Sequence, residues 1–210
     1  VPCRSSHGFG SFMKLAFSTL GCPSWSFAQV VETAHALGYH GVELRALDGS
    51  LELLQAEALS VRTREWTRQF LRELDVEICC LDSSVKFDEP RAKARATQKH
   101  QGFEFIDRAA AMQIPLVRVF GDRIAEGTHR DKAVGWVSDG LSNLGQYAQD
   151  KGVTVVLETH GDFTDSGLVS AVMERIELPS VGVLWDTHHP WRFHGEAPAD
   201  TVAALGRWIR

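Results

Sequence analysis

Two carboxylates in this sequence come directly after short apolar runs. Glu158 ends the segment ThrValValLeuGlu, and Asp186 follows ValGlyValLeuTrp. If the two runs are neighbouring strands of a parallel sheet, both side chains emerge at the same edge and can share one divalent cation. Carboxylate oxygens suit Mg, Mn, Co or Zn. The alternative is structural, with both carboxylates hydrogen-bonded to loop amides or paired with Arg118 or Arg45.

Six apolar runs alternate with longer segments of helical periodicity, which is the pattern of a βα repeat. In the first of these segments Ser26 is a candidate N-cap, and Gly38 can close the helix in the left-handed conformation. The runs are rich in Val, Ile and Leu, so we expect parallel strands that are buried on both faces. The six predicted strands cover residues 14–19, 41–46, 76–83, 116–122, 153–160 and 181–188.

A parallel sheet of this kind belongs either to a doubly wound fold or to a barrel. The segment after the first run, SerThrLeuGlyCysPro, has neither GxGxxG nor a P-loop lysine, which weakens the dinucleotide-binding interpretation. Polar residues close almost every run, which favours an α/β fold of the TIM (β/α)8-type barrel. Such a barrel usually needs about 250 residues, and here only a helical fragment follows the sixth unit. We therefore expect a barrel domain over residues 13–210 that is truncated after about six βα units and lacks strands seven and eight. Residues 1–12 are expected to form a leader or disordered segment.

The composition favours a small, soluble ligand. The chain has 210 residues, of which 44% are hydrophobic and 23% are charged, and its net charge is −5. An acidic molecule has no electrostatic reason to seek nucleic acid or membrane phosphates, so neither is expected as a partner. The four cysteines are too sparse for a disulfide framework and lack paired CxxC spacing. A cytoplasmic protein is predicted, and self-association into a homo-oligomer stays open.

The segments ValValLeuGluThrHis and TrpAspThrHisHisPro, together with LysLeuAlaPheSerThr and GlyTyrHisGlyValGluLeuArg, resemble the sugar phosphate isomerase/epimerase family of the xylose isomerase-like TIM barrel superfamily. The resemblance implies a divalent-metal-dependent isomerase or epimerase of a sugar or sugar-like ketose, working by proton transfer through a metal-stabilised enediolate. It implies that Glu158 and Asp186 bind the metal, and that Glu158 is also the catalytic acid or base. The family's third and fourth ligands, a histidine and a glutamate, belong to strands seven and eight. His189 matches a family histidine that contacts a substrate oxygen or, in some members, a metal, and substrate contact is predicted here.

Three further residues are candidates for substrate binding. His160 and His188 follow the fifth and sixth runs and could orient the carboxylates or the substrate, although a hydrogen-bonded loop histidine explains each equally well. Glu43 and Arg45 leave the second run, and we expect one to face the barrel interior and the other the helices, with Glu43 as the inward candidate.

Other functions stay open on the sequence. A dehydratase acting on an inosose or a dehydroshikimate type substrate needs the same metal and enolate chemistry. A zinc-dependent abasic-site endonuclease is disfavoured, since the third and fourth runs end in LeuAspSerSer and ValPheGlyAsp, with no histidine. A non-catalytic sugar-binding paralogue would keep the pocket without turnover.

Overall fold

The computed structural model describes residues 13–210, and the predicted leader segment 1–12 lies outside them. Six strands form one sheet in the order β1-β2-β3-β4-β5-β6, and every neighbouring pair is parallel. All six runs predicted from the sequence are confirmed as strands. The strands are β1 (Ala16–Ser18), β2 (Gly41–Leu44), β3 (Glu77–Lys86), β4 (Leu116–Phe120), β5 (Thr154–Glu158) and β6 (Val181–Leu184).

Helices connect the successive strands and supply the covering layer that a parallel sheet needs. The first helix begins where the sequence predicted, because Ser26 and Gln29 form a reciprocal capping box. It ends before Gly38, whose φ of 75° is left-handed. The helices are α1 (Phe27–Ala36), α2 (Arg64–Glu73), α3 (Ala92–Met112), α4 (Arg130–Ala148), α5 (Ser166–Met173), α6 (His188–His194) and α7 (Pro198–Leu205). Within the described part of the chain, no helix is both long and apolar enough to cross a membrane.

The strand order decides between the two folds that the sequence left open. A doubly wound sheet reverses its order at a switch point, whereas here each strand pairs with the next one along the chain from β1 to β6. Because the chain winds in one direction, all crossover helices lie on one face of the sheet, and the other face curves to form the interior of the barrel. The TIM-barrel prediction is therefore confirmed.

The last residues differ from the sequence prediction. Only a helical fragment was expected after the sixth strand, but Trp208, Ile209 and Arg210 run parallel to β6 beyond α7. Val183 donates its backbone N–H to the Trp208 carbonyl at 2.8 Å, and Arg210 donates to the Val183 carbonyl at 3.1 Å. A parallel bridge joins Val183 and Ile209. The edge of β6 is thus covered by a short extended segment at residues 208–210, which is too short to carry a sequence signature of its own.

Close packing between helices and sheet holds the strand ends in place. Phe87, just after β3, is 1% exposed, and its ring lies against Gly140 of α4. A Cβ atom built at Gly140 would lie 2.5 Å from that ring, so only glycine fits there. The α4 helix consequently seats directly on the segment that follows β3, next to the mouth of the barrel.

Candidate metal and substrate site

Three side chains that could bind a metal meet at the C-terminal ends of the last two strands. Glu158 is the final residue of β5 and pairs in register with Leu184 of β6, so Asp186 emerges beside it. Glu158, Asp186 and His189 each present one ligand atom, and these atoms all lie within 4.8 Å of one another. The sequence pattern predicted that the two carboxylates lie at the same end of the barrel, and the structure places the imidazole of His189 beside them.

The loop after β6 holds Asp186 in a defined orientation. One carboxylate oxygen, Oδ1, accepts the backbone N–H groups of His188 at 2.8 Å and His189 at 3.3 Å. The Thr159 hydroxyl, fully buried, accepts the Asp186 backbone N–H at 2.9 Å. These contacts satisfy one side of the carboxylate and leave Oδ2 free of backbone partners, facing His189 Nδ1 at 3.4 Å.

Hydrogen bonding selects the tautomer of His189. Its Nδ1 atom lies 2.7 Å from the Thr159 backbone carbonyl. Because a carbonyl can only accept, Nδ1 carries the proton and donates it, and Nε2 is left with the lone pair. A backbone carbonyl that orients an imidazole in this way is the usual support of a histidine ligand. Nε2 can therefore bind a metal or accept a hydrogen bond from a substrate hydroxyl.

A buried arginine ties Glu158 to the barrel interior. Arg118, on β4, is only 3% exposed. Its Nε lies 2.9 Å from Glu158 Oε2, and its Nη2 lies 3.2 Å from Asp82 Oδ2. A third guanidinium nitrogen, Nη1, donates to the Ser83 carbonyl at 2.7 Å. The structural alternative is thus realised for Glu158, which pairs with Arg118 through one oxygen while its other oxygen stays available.

Burial and charge act in opposite directions on Glu158. Burial raises the pKa of this carboxyl group, and the neighbouring Arg118 guanidinium is the largest influence that lowers it. The negative charge of Asp186 adds a further, smaller rise in the pKa of Glu158. A carboxyl group with a raised pKa takes up a proton more readily than an ordinary carboxyl group, which suits it to proton transfer.

The expectation that Glu43 and Arg45 face opposite sides is wrong. Burial, and next the Asp82 carboxylate, raise the pKa of Glu43 to about 7. Arg45 Nη2 donates to the Ser84 hydroxyl at 3.0 Å, and the pKa of Arg45 is lowered by burial first and then by the charge of Arg118. Both side chains therefore belong to the interior network, because residues two apart on a strand point to the same face.

The two other predicted histidines lie in different surroundings. The His160 ring packs 4.5 Å from Phe120 and 5.4 Å from His189, measured between centroids, and burial lowers its pKa. His188 is exposed, and the centroid of its ring lies 6.1 Å from that of His189 and 6.0 Å from that of Trp191. His160 is thus part of the cluster around His189, whereas His188 lies at its outer edge.

Glycine lets the loop of His160 approach the neighbouring strand end. Gly161 has a φ of 63°, and a Cβ atom there would lie 2.5 Å from the Asp122 carbonyl oxygen. The Asp162 N–H donates to that same carbonyl at 2.9 Å. The loop after β5 is thereby fastened to the loop after β4, and Asp122 itself pairs with Lys86 at 2.8 Å.

A cavity of about 780 Å³ opens beside this cluster. Its walls come from the loops after β4 and β5, from the first residue of α4 and from helix α6, and His160 and His189 are among the lining residues. The sequence reasoning did not identify the cavity, because its walls come from segments that are distant in the chain. It also missed Thr159, whose buried hydroxyl becomes informative only when Asp186 is seen beside it.

Comparison with known proteins agrees with this architecture. The sequence model of the xylose isomerase-like TIM barrel family matches residues 31–210. No curated protein matches the sequence. Among solved structures, the chain is similar to the probable 3-DHS dehydratase AsbF involved in petrobactin synthesis from Bacillus anthracis, with a TM-score of 0.74, 19% identity, and coverage of 94% of this chain and 71% of that one.

Two other solved structures show the same fold. The IOLI protein with a bound zinc atom has a TM-score of 0.77 and 16% identity, covering 94% of this chain and 70% of that one. D-psicose 3-epimerase in the presence of D-fructose has a TM-score of 0.77 and 13% identity, covering 94% and 71%. At such identities the likeness concerns the fold alone. The family match, over most of the sequence, places this chain in the xylose isomerase-like TIM barrel family.

Proposed function

We propose that this chain is a divalent-metal-dependent isomerase or epimerase of a sugar or sugar-like ketose. The observation that carries the proposal is the convergence of Glu158, Asp186 and His189 within 4.8 Å at the C-terminal mouth of the barrel. This is the end at which barrel enzymes collect their catalytic groups. Of the three similar structures described above, one is named as an epimerase and one contains zinc, which supports the same class of reaction and cofactor.

The donor set fits a divalent cation. Glu158 and Asp186 each keep one carboxylate oxygen that no backbone amide occupies, and His189 keeps the lone pair of Nε2. Two hard oxygens and one imidazole nitrogen suit Mn, Co or Zn, and the carboxylates alone suit Mg. We propose Glu158 and Asp186 as the metal ligands. His189 is proposed to contact a substrate oxygen through Nε2, because its Nδ1 is engaged by the Thr159 carbonyl.

The side chains of this site supply proton transfer and orientation. A divalent cation, when bound, stabilises negative charge that develops on the substrate oxygens. Glu158 is proposed as the acid or base that moves the proton next to the carbonyl, since burial raises its pKa. His189 accepts a hydrogen bond at Nε2 and orients the substrate hydroxyl. His160 and Glu43 are proposed to line the site from the loop after β5 and from β2.

A dehydratase is the second candidate function. One of the similar structures is named as a probable dehydratase of 3-DHS, and proton abstraction beside a carbonyl is common to both reactions. The same residues would act in the same roles, but a hydroxyl group would take up a proton and leave as water, instead of the proton returning to carbon. An assay that follows both products separates the two reactions.

The test first measures metal binding and then deuterium exchange into the substrate. Mn²⁺ affinity is measured by calorimetry for the wild type, Glu158→Gln, Asp186→Asn and Glu177→Gln. The first two variants preserve shape and remove charge, and the third removes an exposed carboxylate outside the site. Deuterium exchange at the carbon next to the carbonyl is then followed by NMR for a panel of ketoses, inososes and dehydroshikimate.

Stoichiometric Mn²⁺ binding that both site variants lose, with Glu177→Gln unchanged, supports the proposed metal site. Exchange with recovery of an isomer supports the isomerase or epimerase, and exchange with loss of water supports the dehydratase. Metal binding that Glu158→Gln and Asp186→Asn leave intact refutes the site. Sugar binding without exchange by the metal-loaded protein would instead indicate a non-catalytic sugar-binding protein.

A further inference from the structure

Asp82, on β3, is a buried carboxylate that depends on Arg118 for its partner. Its side chain is 4% exposed, and its Oδ2 atom lies 3.2 Å from Arg118 Nη2. The other oxygen, Oδ1, is inaccessible to water, and within residues 13–210 no N–H or hydroxyl group donates to it. The Glu43 carboxyl and the Cys80 thiol lie beside Asp82, but each can donate only in its protonated form. Arg118 therefore supplies the main compensation for the charge of Asp82.

A neutral side chain of the same shape would fit position 82 at a lower cost. Burying a charged oxygen that lacks a donor is unfavourable. An asparagine would still offer a carbonyl oxygen to Arg118, and it would place an N–H group where Oδ1 of the aspartate has no such partner. Packing alone therefore does not explain the carboxylate of Asp82, and a buried polar group of this kind calls for a functional reason.

Arg118 also holds the proposed metal ligand Glu158. Its Nε atom lies 2.9 Å from Glu158 Oε2, and the Glu158 side chain is only 14% exposed. One positive charge is thus shared between two carboxylates, in surroundings where little water screens them. The Ser83 carbonyl accepts a hydrogen bond from Arg118 Nη1 at 2.7 Å and helps to fix the guanidinium between the two. A weaker contact with Asp82 would leave more of the Arg118 charge for Glu158.

The charges joined at this end of the barrel match those of a divalent cation. Three carboxylates and the guanidinium of Arg118 leave two negative charges without a partner. The carboxylates are those of Asp82, Glu158 and Asp186. Arg45 also faces the interior, but among the described residues it forms no ion pair with them, and its Nη2 donates to a serine hydroxyl. Without the charge of Asp82, Arg118 and Glu158 would neutralise each other, and a cation would meet a single negative charge.

Resting on the proposed function, we infer that Asp82 is a positioning residue of the metal site, which holds Arg118 and so keeps the charge of Glu158 available to the divalent cation. Asp82 is not one of the three side chains that converge on the cation. A guanidinium that pairs with Glu158 alone competes with the cation for this ligand, because charge-assisted hydrogen bonds are the strong ones. Residues that support metal ligands in this way typically change metal affinity about 10–100-fold.

The experiment measures Mn²⁺ affinity by calorimetry for the 210-residue protein as wild type, Asp82→Asn and Asp88→Asn, with circular dichroism to verify folding. Asp88 follows the same strand, and its carboxylate lies 3.2 Å from Lys86 Nζ. The Asp88→Asn control therefore removes one negative charge that is not paired with Arg118. The Kd for Mn²⁺ should rise about 10–100-fold in Asp82→Asn and stay unchanged in Asp88→Asn.

Two further measurements show whether the effect passes through Arg118. In an Arg118→Met background, the Kd for Mn²⁺ should be the same with and without Asp82→Asn, because no guanidinium is left to hold. In ¹H–¹⁵N spectra of the metal-free protein, the Arg118 Nε–H resonance is assigned by its loss in Arg118→Lys. This resonance should move downfield in Asp82→Asn, since the hydrogen bond to Glu158 strengthens. The spectrum decides the question if Arg118→Met does not fold.

Three outcomes overturn the inference and leave the proposed metal site in place. The first is Mn²⁺ binding by Asp82→Asn that is as tight as in the wild type. The second is the same increase in Kd with and without Arg118, since Asp82 would then act directly through its charge. The third is an Nε–H resonance that Asp82→Asn does not move. If the wild type itself binds no Mn²⁺, the proposed function fails and this inference fails with it.

Discussion

Replacement of Arg118 by methionine tests the buried ion network at the base of the site. Arg118 is 3% exposed and Asp82 is also 3% exposed, so neither charge has much access to water. The methionine keeps most of the side-chain volume but removes the ion pairs to Asp82 at 3.2 Å and Glu158 at 2.9 Å. It also leaves the Ser83 carbonyl without its guanidinium donor.

The expected loss follows from leaving buried carboxylates without a partner. Removing one member of a buried ion pair typically destabilises a protein by about 3–5 kcal/mol. We expect Arg118→Met to fall in this range. Arg118→Lys keeps the charge but not the planar fork, so its loss should be smaller. The control is Arg62→Met, which breaks an ion pair with Glu57 in which the arginine side chain is 80% exposed, and exposed pairs contribute about 0–1 kcal/mol.

Urea unfolding followed by circular dichroism measures these free energies at pH 5 and pH 8. Burial already raises the pKa of Glu158 while Arg118 opposes the rise, so the pKa should rise further in the Met variant. When the pKa of a carboxyl group is higher in the folded protein than in the unfolded chain, the free energy of unfolding decreases as the pH increases. The deficit of Arg118→Met should therefore be larger at pH 8 than at pH 5. A loss below about 1 kcal/mol at both pH values would refute the network, since it would equal that of an exposed pair.

Three further predictions concern neighbouring features. The pKa of Glu43 is raised to about 7, so the free energy of unfolding of the wild type should fall as the pH rises from about 4.5 to 7. Glu43→Gln should remove this fall from a plot of the urea midpoint against pH. The same plot for both proteins would contradict the prediction. Gly140→Ala should cost about 1–3 kcal/mol in urea unfolding because its Cβ would meet a buried phenyl ring at 2.5 Å. On the same helix, a Cβ atom at Gly135 would meet only an arginine nitrogen at 3.6 Å, so Gly135→Ala should stabilise the protein by about 0.5–1 kcal/mol. Equal effects of the two substitutions would contradict the packing argument. Thr159→Val removes the hydroxyl that positions the Asp186 backbone and should weaken Mn²⁺ binding about 10–100-fold in calorimetry, whereas Thr159→Ser should retain it.

The sequence alone determined the repeating βα architecture. Six apolar runs at regular spacing are local signals, and each proved to be a strand. The capping box at Ser26 is likewise local, because it needs only residues three apart. The meeting of Glu158 and Asp186 followed from the same pattern, since consecutive parallel strands end at one edge.

Other features needed the tertiary structure. The common direction of Glu43 and Arg45 follows from the two-residue period of a strand, but the partners that they meet inside the barrel, Asp82, Ser84 and Arg118, do not. The bridge from Arg118 to Asp82 and Glu158 joins three strands and has no local signature.

The same holds for the pairing of residues 208–210 with β6 and for the cavity between the loop after β4 and helix α6. Local patterns report which residues form an element and which face they occupy. Which charges become partners depends on distances across the barrel, and these are set only when the helices pack on the sheet and fix the strand ends.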